Sequence, residues 1–197
     1  MCKNIEEDRE NTYNLKCWVL RKAYTGKSQF DKTIIFQFYV RKEITYMNIM
    51  RADNTDLQEI LDLQYLAYQS EAALFGSKDI PPLKETLSEL EAEFKKGIIL
   101  KMVDDKGNII GSVRSKSNEN TVYIGKLMVH PDEQKKGYGK KLLCEIERYY
   151  PNKRFELFTS TRSIDNIRLY EKMGYKKFKE EKITDELVFV YMEKEGH

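Results

Sequence analysis

The chain has 197 residues, 41% of them hydrophobic and 34% charged, with a formal net charge of +2. That hydrophobic share at this length can build a core, so a disordered chain is excluded and one domain with an appendage is expected. The charges nearly cancel and no basic run or Lys/Arg-rich helix stands out, which argues against nucleic acid and against a membrane surface as partners.

The first stretch, residues 1–46, holds one strand-like piece, Thr33 to Val40, and no clear helical period. Regular patterning begins near Met47. Tyr46 to Arg51 reads as a strand, and Thr55 with Gln58 three residues later reads as a capping box. On the helix that follows, Leu57, Ile60, Leu61, Tyr65 and Tyr68 share a face. Gln69 to Leu83 reads as a loop broken by Pro81-Pro82. Thr86 and Glu89 form a second capping box, with Leu87, Leu90 and Phe94 as the buried stripe and Gly97 as the stop. Three strands follow, Ile98–Val103, Ile109–Ser115 and Thr121–Val129, joined by polar turns into an antiparallel meander. A helix over Gly137–Tyr149 turns Leu142, Leu143, Ile146 and Tyr149 inward. Phe155–Thr159 is a strand, Asn166–Met173 a short helix stopped by Gly174, and Tyr175–Ile183 and Leu187–Glu193 close the sheet. The order describes an α+β fold, a mostly antiparallel sheet with one helix crossing over between its central strands.

Cys2, Cys17 and Cys144 form an odd set without a Cys-x-x-Cys pair, and His130 and His197 are the two histidines. No metal site is expected, and reduced thiols suit a cytosol. The best apolar run, Ile34 to Val40, is too short to span a bilayer, and the early acidic residues Glu6, Glu7 and Asp8 do not suit a signal peptide. A cytoplasmic location is the resulting expectation.

The chemistry is concentrated in Leu127-Met128-Val129-His130-Pro131-Asp132 and the following Gln134-Lys135-Lys136-Gly137-Tyr138-Gly139-Lys140. An apolar strand ends at a proline, a polar loop follows, and two glycines open an amphipathic helix. Glycines admit a ligand close to the backbone, and a helix N-terminus offers unpaired N–H groups at the positive end of its dipole. With Lys135, Lys136 and Lys140 beside it, this is a cradle suited to a pyrophosphate. The Walker lysine with its Ser/Thr is missing, and the Gly-x-Gly-x-x-Gly spacing is incomplete, so two other phosphate motifs are excluded.

This segment resembles motif A of the GNAT superfamily of N-acetyltransferases, Gln/Arg-x-x-Gly-x-Gly/Ala after a strand, matched by Gln134, Gly137 and Gly139. A second segment, Ser163-Ile164-Asp165-Asn166-Ile167-Arg168-Leu169-Tyr170-Glu171-Lys172-Met173-Gly174-Tyr175, resembles the family's Asn-x-x-x-Tyr-x-x-x-Gly-Phe/Tyr. The resemblance implies a sheet whose fourth and fifth strands splay apart, with helices flanking it, and acetyl-CoA as cosubstrate without a metal. It implies that Leu127 and Val129 bind the pantetheine amides through their backbone. The amides of Lys135, Lys136, Gly137, Tyr138, Gly139 and Lys140 would hold the pyrophosphate. A backbone N–H near Met128 would stabilise the oxyanion, and Tyr170 would act as general acid toward the departing thiolate. Asn166 would contact the cofactor, with a helix N-cap as its plainer role.

Some family members use a strand-four glutamate as base, but Tyr123-Ile124-Gly125-Lys126-Leu127 contains no carboxylate. A water chain, Glu71 or Glu119 remains open as the base, and Lys126 reads as a solvated or substrate-facing lysine. The loop between the first two helices usually recognises the acceptor. Glu71 there would suit a cationic amine, while Arg114 would suit a carboxylate. Cys144 reads as packing and His130 as a turn residue. The function implied is acetyl transfer to a primary amine of a small molecule or peptide by direct attack; an acyl-CoA-binding sensor of the same fold is the alternative. A homodimer is in keeping with the family.

Residues 1–46 lie outside the resemblance. They read either as an added leader before a natural start at Met47, since Arg41-Lys42-Glu43 is encodable by a purine-rich ribosome-binding sequence, or as an extension whose Thr33–Val40 adds an edge strand.

Overall fold

The computed structural model describes residues 48–185 and 187–196. Its strands are β1 (Asn48–Arg51), β2 (Ile98–Val103), β3 (Ile109–Ser117), β4 (Thr121–Val129), β5 (Arg154–Ser160), β6 (Lys176–Lys182) and β7 (Val188–Lys194). They form one sheet in the order β1-β2-β3-β4-β5-β7-β6. Every neighbouring pair is antiparallel except β4 and β5. The helices are α1 (Leu57–Ala67), α2 (Gln69–Phe75), α3 (Leu87–Phe94), α4 (Tyr138–Arg148) and α5 (Ile164–Lys172). The parallel pair exists because α4 carries the chain from the end of β4 back to the start of β5. This is the expected mixed, mostly antiparallel sheet with flanking helices. The expectations for residues 1–46, including the Thr33–Val40 strand and the Met47 start, lie outside the described residues.

Leu57, Ile60, Leu61 and Leu63 of α1 join Leu90, Ile99, Ile109 and Met128 in one buried cluster. From the other crossover, α4 buries Leu142, Leu143, Cys144 and Ile146 along β2, β3 and β4. Gly111 on β3 makes room for that helix. A Cβ there would stand 2.9 Å from Leu142 Cδ1 and 3.2 Å from the Met128 carbonyl oxygen.

Four local expectations are corrected. The first cap is Asp53 with Asp56, not Thr55 with Gln58: Asp53 accepts from the Thr55 N–H, and Asp56 accepts from the Asp53 N–H at 2.7 Å, opening a short 3-10 turn before α1. An aspartate pair can close the same reciprocal loop that a Thr/Gln pair does, here two residues earlier. The stretch after α1 is not all loop, because residues 69–75 form α2, ended by Gly76 in the left-handed region. Tyr149 is 38% exposed instead of inward, with the Arg51 guanidinium 5.9 Å from its ring centroid. Gly97 follows the end of α3 but serves close packing, since a Cβ there would strike the Ser115 carbonyl. The second cap, Thr86 with Glu89, is as expected.

A polar cluster is built into the junction of α1, α3 and β3. Arg114 Nη1 donates to Glu85 at 2.9 Å and to Glu93 at 2.9 Å, and Nη2 donates to Gln64 Oε1 at 2.7 Å. Gln64 Nε2 in turn donates to the Pro82 carbonyl and to Glu85, both at 2.7 Å. The Arg114 and Glu85 side chains are only 6% and 10% exposed. Truncating one partner of such a buried pair strands the other's charge, at a cost of about 3–5 kcal/mol. Arg114→Met is therefore expected to lower the thermal midpoint by about 10 °C, at roughly 2–4 °C per kcal/mol for a chain of this size. Differential scanning calorimetry checks this, and an unchanged midpoint would show the cluster to be solvated.

Candidate active site

The site is a wedge opened in the sheet. Parallel pairing of β4 with β5 covers only Thr121–Arg154, Val122–Phe155 and Tyr123–Glu156. Beyond Tyr123, β4 continues to Val129 and β5 to Ser160 without pairing to each other. The cause is a bulge. The β3–β4 register shifts between Ser112 and Arg114, and Lys126 takes a φ of +49° on the bulged side. Such an insertion bends its strand and increases its twist, here away from β5.

Register decides which backbone groups face the wedge. The His130 N–H bonds the Ile110 carbonyl at 2.8 Å, and Met128 pairs with Ser112 two residues away. Alternation along an antiparallel strand then turns the Met128 N–H and C=O toward β3. The groups of Leu127 and Val129 face the gap. The Met128 amide does not, which corrects its placing as the oxyanion donor. Val129 is oriented independently by Gln134, whose Nε2 donates to its carbonyl at 3.3 Å.

The wedge ends at the cradle. After a short 3-10 turn at Pro131–Glu133, Lys135 and Gly137 adopt φ of +62° and +84°, and α4 begins at Tyr138 with Gly137 as its N-cap. The first intrahelical acceptor is the Gly137 carbonyl, bonded by the Lys141 N–H at 3.2 Å. The amides of Tyr138, Gly139 and Lys140 therefore have no partner within the helix. The left-handed turn at Gly137 leaves open space where a Cβ would point, with no atom within 4 Å. Lys135, Lys136 and Lys140 are exposed around it, Lys136 paired with Glu133 at 3.0 Å. Donors, room and positive charge together fit a diphosphate.

On the opposite side of the wedge, α5 presents Tyr170. The helix ends in a Schellman motif: the Tyr175 N–H bonds the Tyr170 carbonyl at 3.0 Å, and the Gly174 N–H bonds that of Glu171 at 2.9 Å. Gly174 supplies the required positive φ of +91°. The accompanying side-chain contact is Tyr170 against Tyr175, with ring centroids 6.0 Å apart. The spacing Tyr-x-x-x-Gly-Tyr is thus the helix stop itself. Tyr175 is anchored in turn by donating to Glu147 of α4 at 2.8 Å, and Glu147 also accepts from Lys194 at 2.6 Å. Burial, with the nearby Glu71 charge acting in the same direction, pushes the Tyr170 phenol well above its ordinary value. It stays protonated at neutral pH.

Asn166 is not the N-cap. That position is Ser163, and Asn166 stands one turn in, its Nδ2 at 3.4 Å from Thr159 Oγ1. Ser163 makes no capping bond; its hydroxyl donates to Glu71 Oε1 at 3.0 Å. Glu71, half-buried on α2, has its carboxyl raised by burial, with Ser163 and Lys126 opposing. Lys126 lies with its ammonium 5.7 Å from the Tyr68 ring centroid and 3.9 Å from Glu85. Burial pulls that ammonium down, opposed by Glu85 and assisted by Arg114. Burial, Glu71 and Tyr170 push the Tyr68 phenol up.

Arg114 is not available to a substrate carboxylate, since Glu85, Glu93 and Gln64 take donors of both Nη atoms and the unpartnered Nε is buried. Glu119 is exposed in the β3–β4 turn, beside the paired end of β4 and away from the wedge. His130 caps the 3-10 turn and Cys144 is buried in α4, both as expected. Ser163, Tyr68 and Glu85 were missed as site residues. Ser163 opens the second motif and Glu85 precedes a capping Thr, so each reads in sequence as punctuation. Among the described residues no group of acidic, Cys and His side chains could hold a metal, and no helix is long and apolar enough to cross a membrane.

A family model for the acetyltransferase (GNAT) domain matches residues 66–196. The UPF0157 protein YqkA of Bacillus subtilis (strain 168) is 28% identical over 130 residues, which is 66% of this chain and 37% of that protein. The chain thus spans little more than a third of the length of that curated relative. The fold is shared with the PaiA N-acetyltransferase of Thermoplasma acidophilum in complex with coenzyme A, at TM-score 0.64 and 20% identity, over 76% of this chain and 98% of that one. It is shared also with a GNAT superfamily phosphinothricin acetyltransferase of Sinorhizobium meliloti in complex with AcCoA, at TM-score 0.61 and 16% identity, over 76% and 88%. With well over half of the chain matched, and both motifs standing on the two sides of one splayed strand pair, this chain belongs to the GNAT acetyltransferase family.

Proposed function

We propose that the protein transfers an acetyl group from acetyl-CoA to a primary amine by direct attack, in the cytoplasm and without a metal. The observation that carries this reading is the wedge between β4 and β5, with unpaired helix amides at one end and a protonated phenol at its side. Similar structures with coenzyme A or acetyl-CoA bound support it.

Acetyl-CoA supplies an activated thioester, and the protein contributes binding, orientation and proton transfer. The Leu127 and Val129 backbone groups extend the sheet to the pantetheine arm. The amides from Lys135 to Lys140 hold the diphosphate, with the exposed lysines adding attraction. Gln134 acts indirectly, fixing the Val129 carbonyl. The Leu127 N–H, next to the bulge, takes the oxyanion role in place of Met128. A preorganised amide needs no reorganisation as charge develops on the carbonyl oxygen. The Tyr170 hydroxyl gives its proton to the departing thiolate, and Asn166 lines the cofactor's side of α5.

The acceptor enters over Glu71, Lys126 and Tyr68. Primary amines of small molecules or peptides suit this polar mouth. A carboxylate on α2, Glu71, held by the Ser163 hydroxyl at 3.0 Å, supports the enzyme reading over an acyl-CoA sensor.

Thiol release from acetyl-CoA across a panel of amines tests the proposal. Amine-dependent release is expected, with kcat falling about 10²–10⁴-fold in Tyr170→Phe. Failure of every amine to give turnover, despite acetyl-CoA binding by calorimetry, would favour the sensor. Direct attack further predicts that the intact mass of the protein stays unchanged on mixing with acetyl-CoA alone; a stable gain of one acetyl group that an amine then discharges would replace it with a covalent route.

A further inference from the structure

The geometry points to Glu71 as the general base that takes the proton from the acceptor ammonium, held in place by the Ser163 hydroxyl. The inference rests on the amine-acetylation reading above. An amine attacks a thioester only when neutral, and so a group at the mouth of the wedge must accept a proton before or during attack. The strand next to the thioester offers none: β4 from Tyr123 to Val129 has no carboxylate, and its charged side chain there is Lys126.

Three features single out Glu71. First, it is reached from the catalytic helix itself. Ser163 is the N-cap of α5 and serine is a preferred residue there, where a capping bond contributes about 1 kcal/mol. Here the hydroxyl forgoes that bond and donates to Glu71 Oε1 at 3.0 Å. Helix α5 carries both the group that orients the carboxylate and, two turns on, the phenol of Tyr170. Second, the bond is to one oxygen, and Oε2 remains for a proton. Third, the charged and titratable groups around it define an acid–base pair. Tyr68 at the end of α1 and Tyr170 on α5 both feel the Glu71 charge, while Lys126 on β4, itself near Glu85, faces it as the cation. Burial raises the Glu71 carboxyl toward the working range of a base, while Tyr170 is kept protonated as an acid. Glu71 takes the first proton from the ammonium and passes it to solvent. The nitrogen lone pair then adds to the thioester carbonyl, and the C–S bond breaks as the thiolate takes the proton of Tyr170. The second nitrogen proton goes to the freed Glu71 carboxylate and on to solvent, and solvent reprotonates Tyr170, so that one proton is released overall.

The rival base at this position is Lys126, whose ammonium burial pulls down. The two are separated by pH profiles of kcat/KM measured with the best amine of the panel. The amine's own titration is common to all variants, so differences between profiles belong to the protein. With Glu71 as base, Glu71→Gln loses about 10²–10⁴-fold in kcat/KM near neutrality and loses the protein-dependent acidic limb. Its acetyl-CoA affinity by calorimetry and its thermal midpoint stay near wild type. Ser163→Ala and Lys126→Met each remove a group that favours the charged carboxylate, and so each moves the acidic limb to higher pH. A merely structural Ser163 would lower activity without moving the limb. An unchanged profile in Glu71→Gln, or loss of the limb in Lys126→Met with Glu71→Gln active, overturns the inference. Absence of any amine turnover in wild type would instead overturn the acetylation reading on which it stands.

Discussion

Everything at the site depends on one interrupted pairing. Parallel strands β4 and β5 share hydrogen bonds through Tyr123 and Glu156 and then part. Unpaired strand edges inside a sheet are costly unless another chain or a ligand satisfies them, since backbone N–H and C=O groups are obligatory hydrogen-bonding groups. The bulge at Lys126 forces the parting, and a non-glycine residue at φ +49° shows that the surrounding structure over-determines it. The wedge is thus a built opening into which an extended, amide-bearing ligand fits as a strand would.

The two sides of the opening are fixed by different means. On one side, the β4 backbone runs into a helix N-terminus, so amides from the strand and from α4 line one continuous path. On the other, the Schellman stop of α5 orients Tyr170 by packing it on Tyr175, and Glu147 ties Tyr175 back to α4. Helices α4 and α5 are therefore joined through Tyr175, by a hydrogen bond to one and a ring contact to the other. The close approach is reinforced at Gly139, where a Cβ would stand 3.4 Å from Leu169 Cδ2.

Much of this was legible from the sequence, for physical reasons. Strand alternation, the Thr86–Glu89 cap and the Gly137 and Gly174 helix ends are local, and local sterics set them. What was illegible is long-range. Gln64 lies on the helical face that reads as polar, yet it is fully buried because Arg114, fifty positions away, needs an acceptor. Arg114 reads as free because its partners come from α1, α3 and the residue before a cap. Met128 was misplaced because successive residues of a strand turn their backbone groups to opposite sides, so it does not share the gap with Leu127 and Val129. Ser163 reads only as the opening of the second motif because its partner, Glu71, is distant in sequence and sits in a stretch that lacked helical signals.

The central claim is that the wedge-facing amides of β4 and α4 are the cofactor's ligands. Residue-resolved amide hydrogen exchange with and without acetyl-CoA tests it most directly. The account predicts that Leu127, Val129 and the amides of Tyr138 to Lys140 exchange freely alone and gain protection with the ligand, while Met128, bonded to β3, is protected throughout. Gain of protection at Met128 with none at Leu127 and Val129 would contradict it.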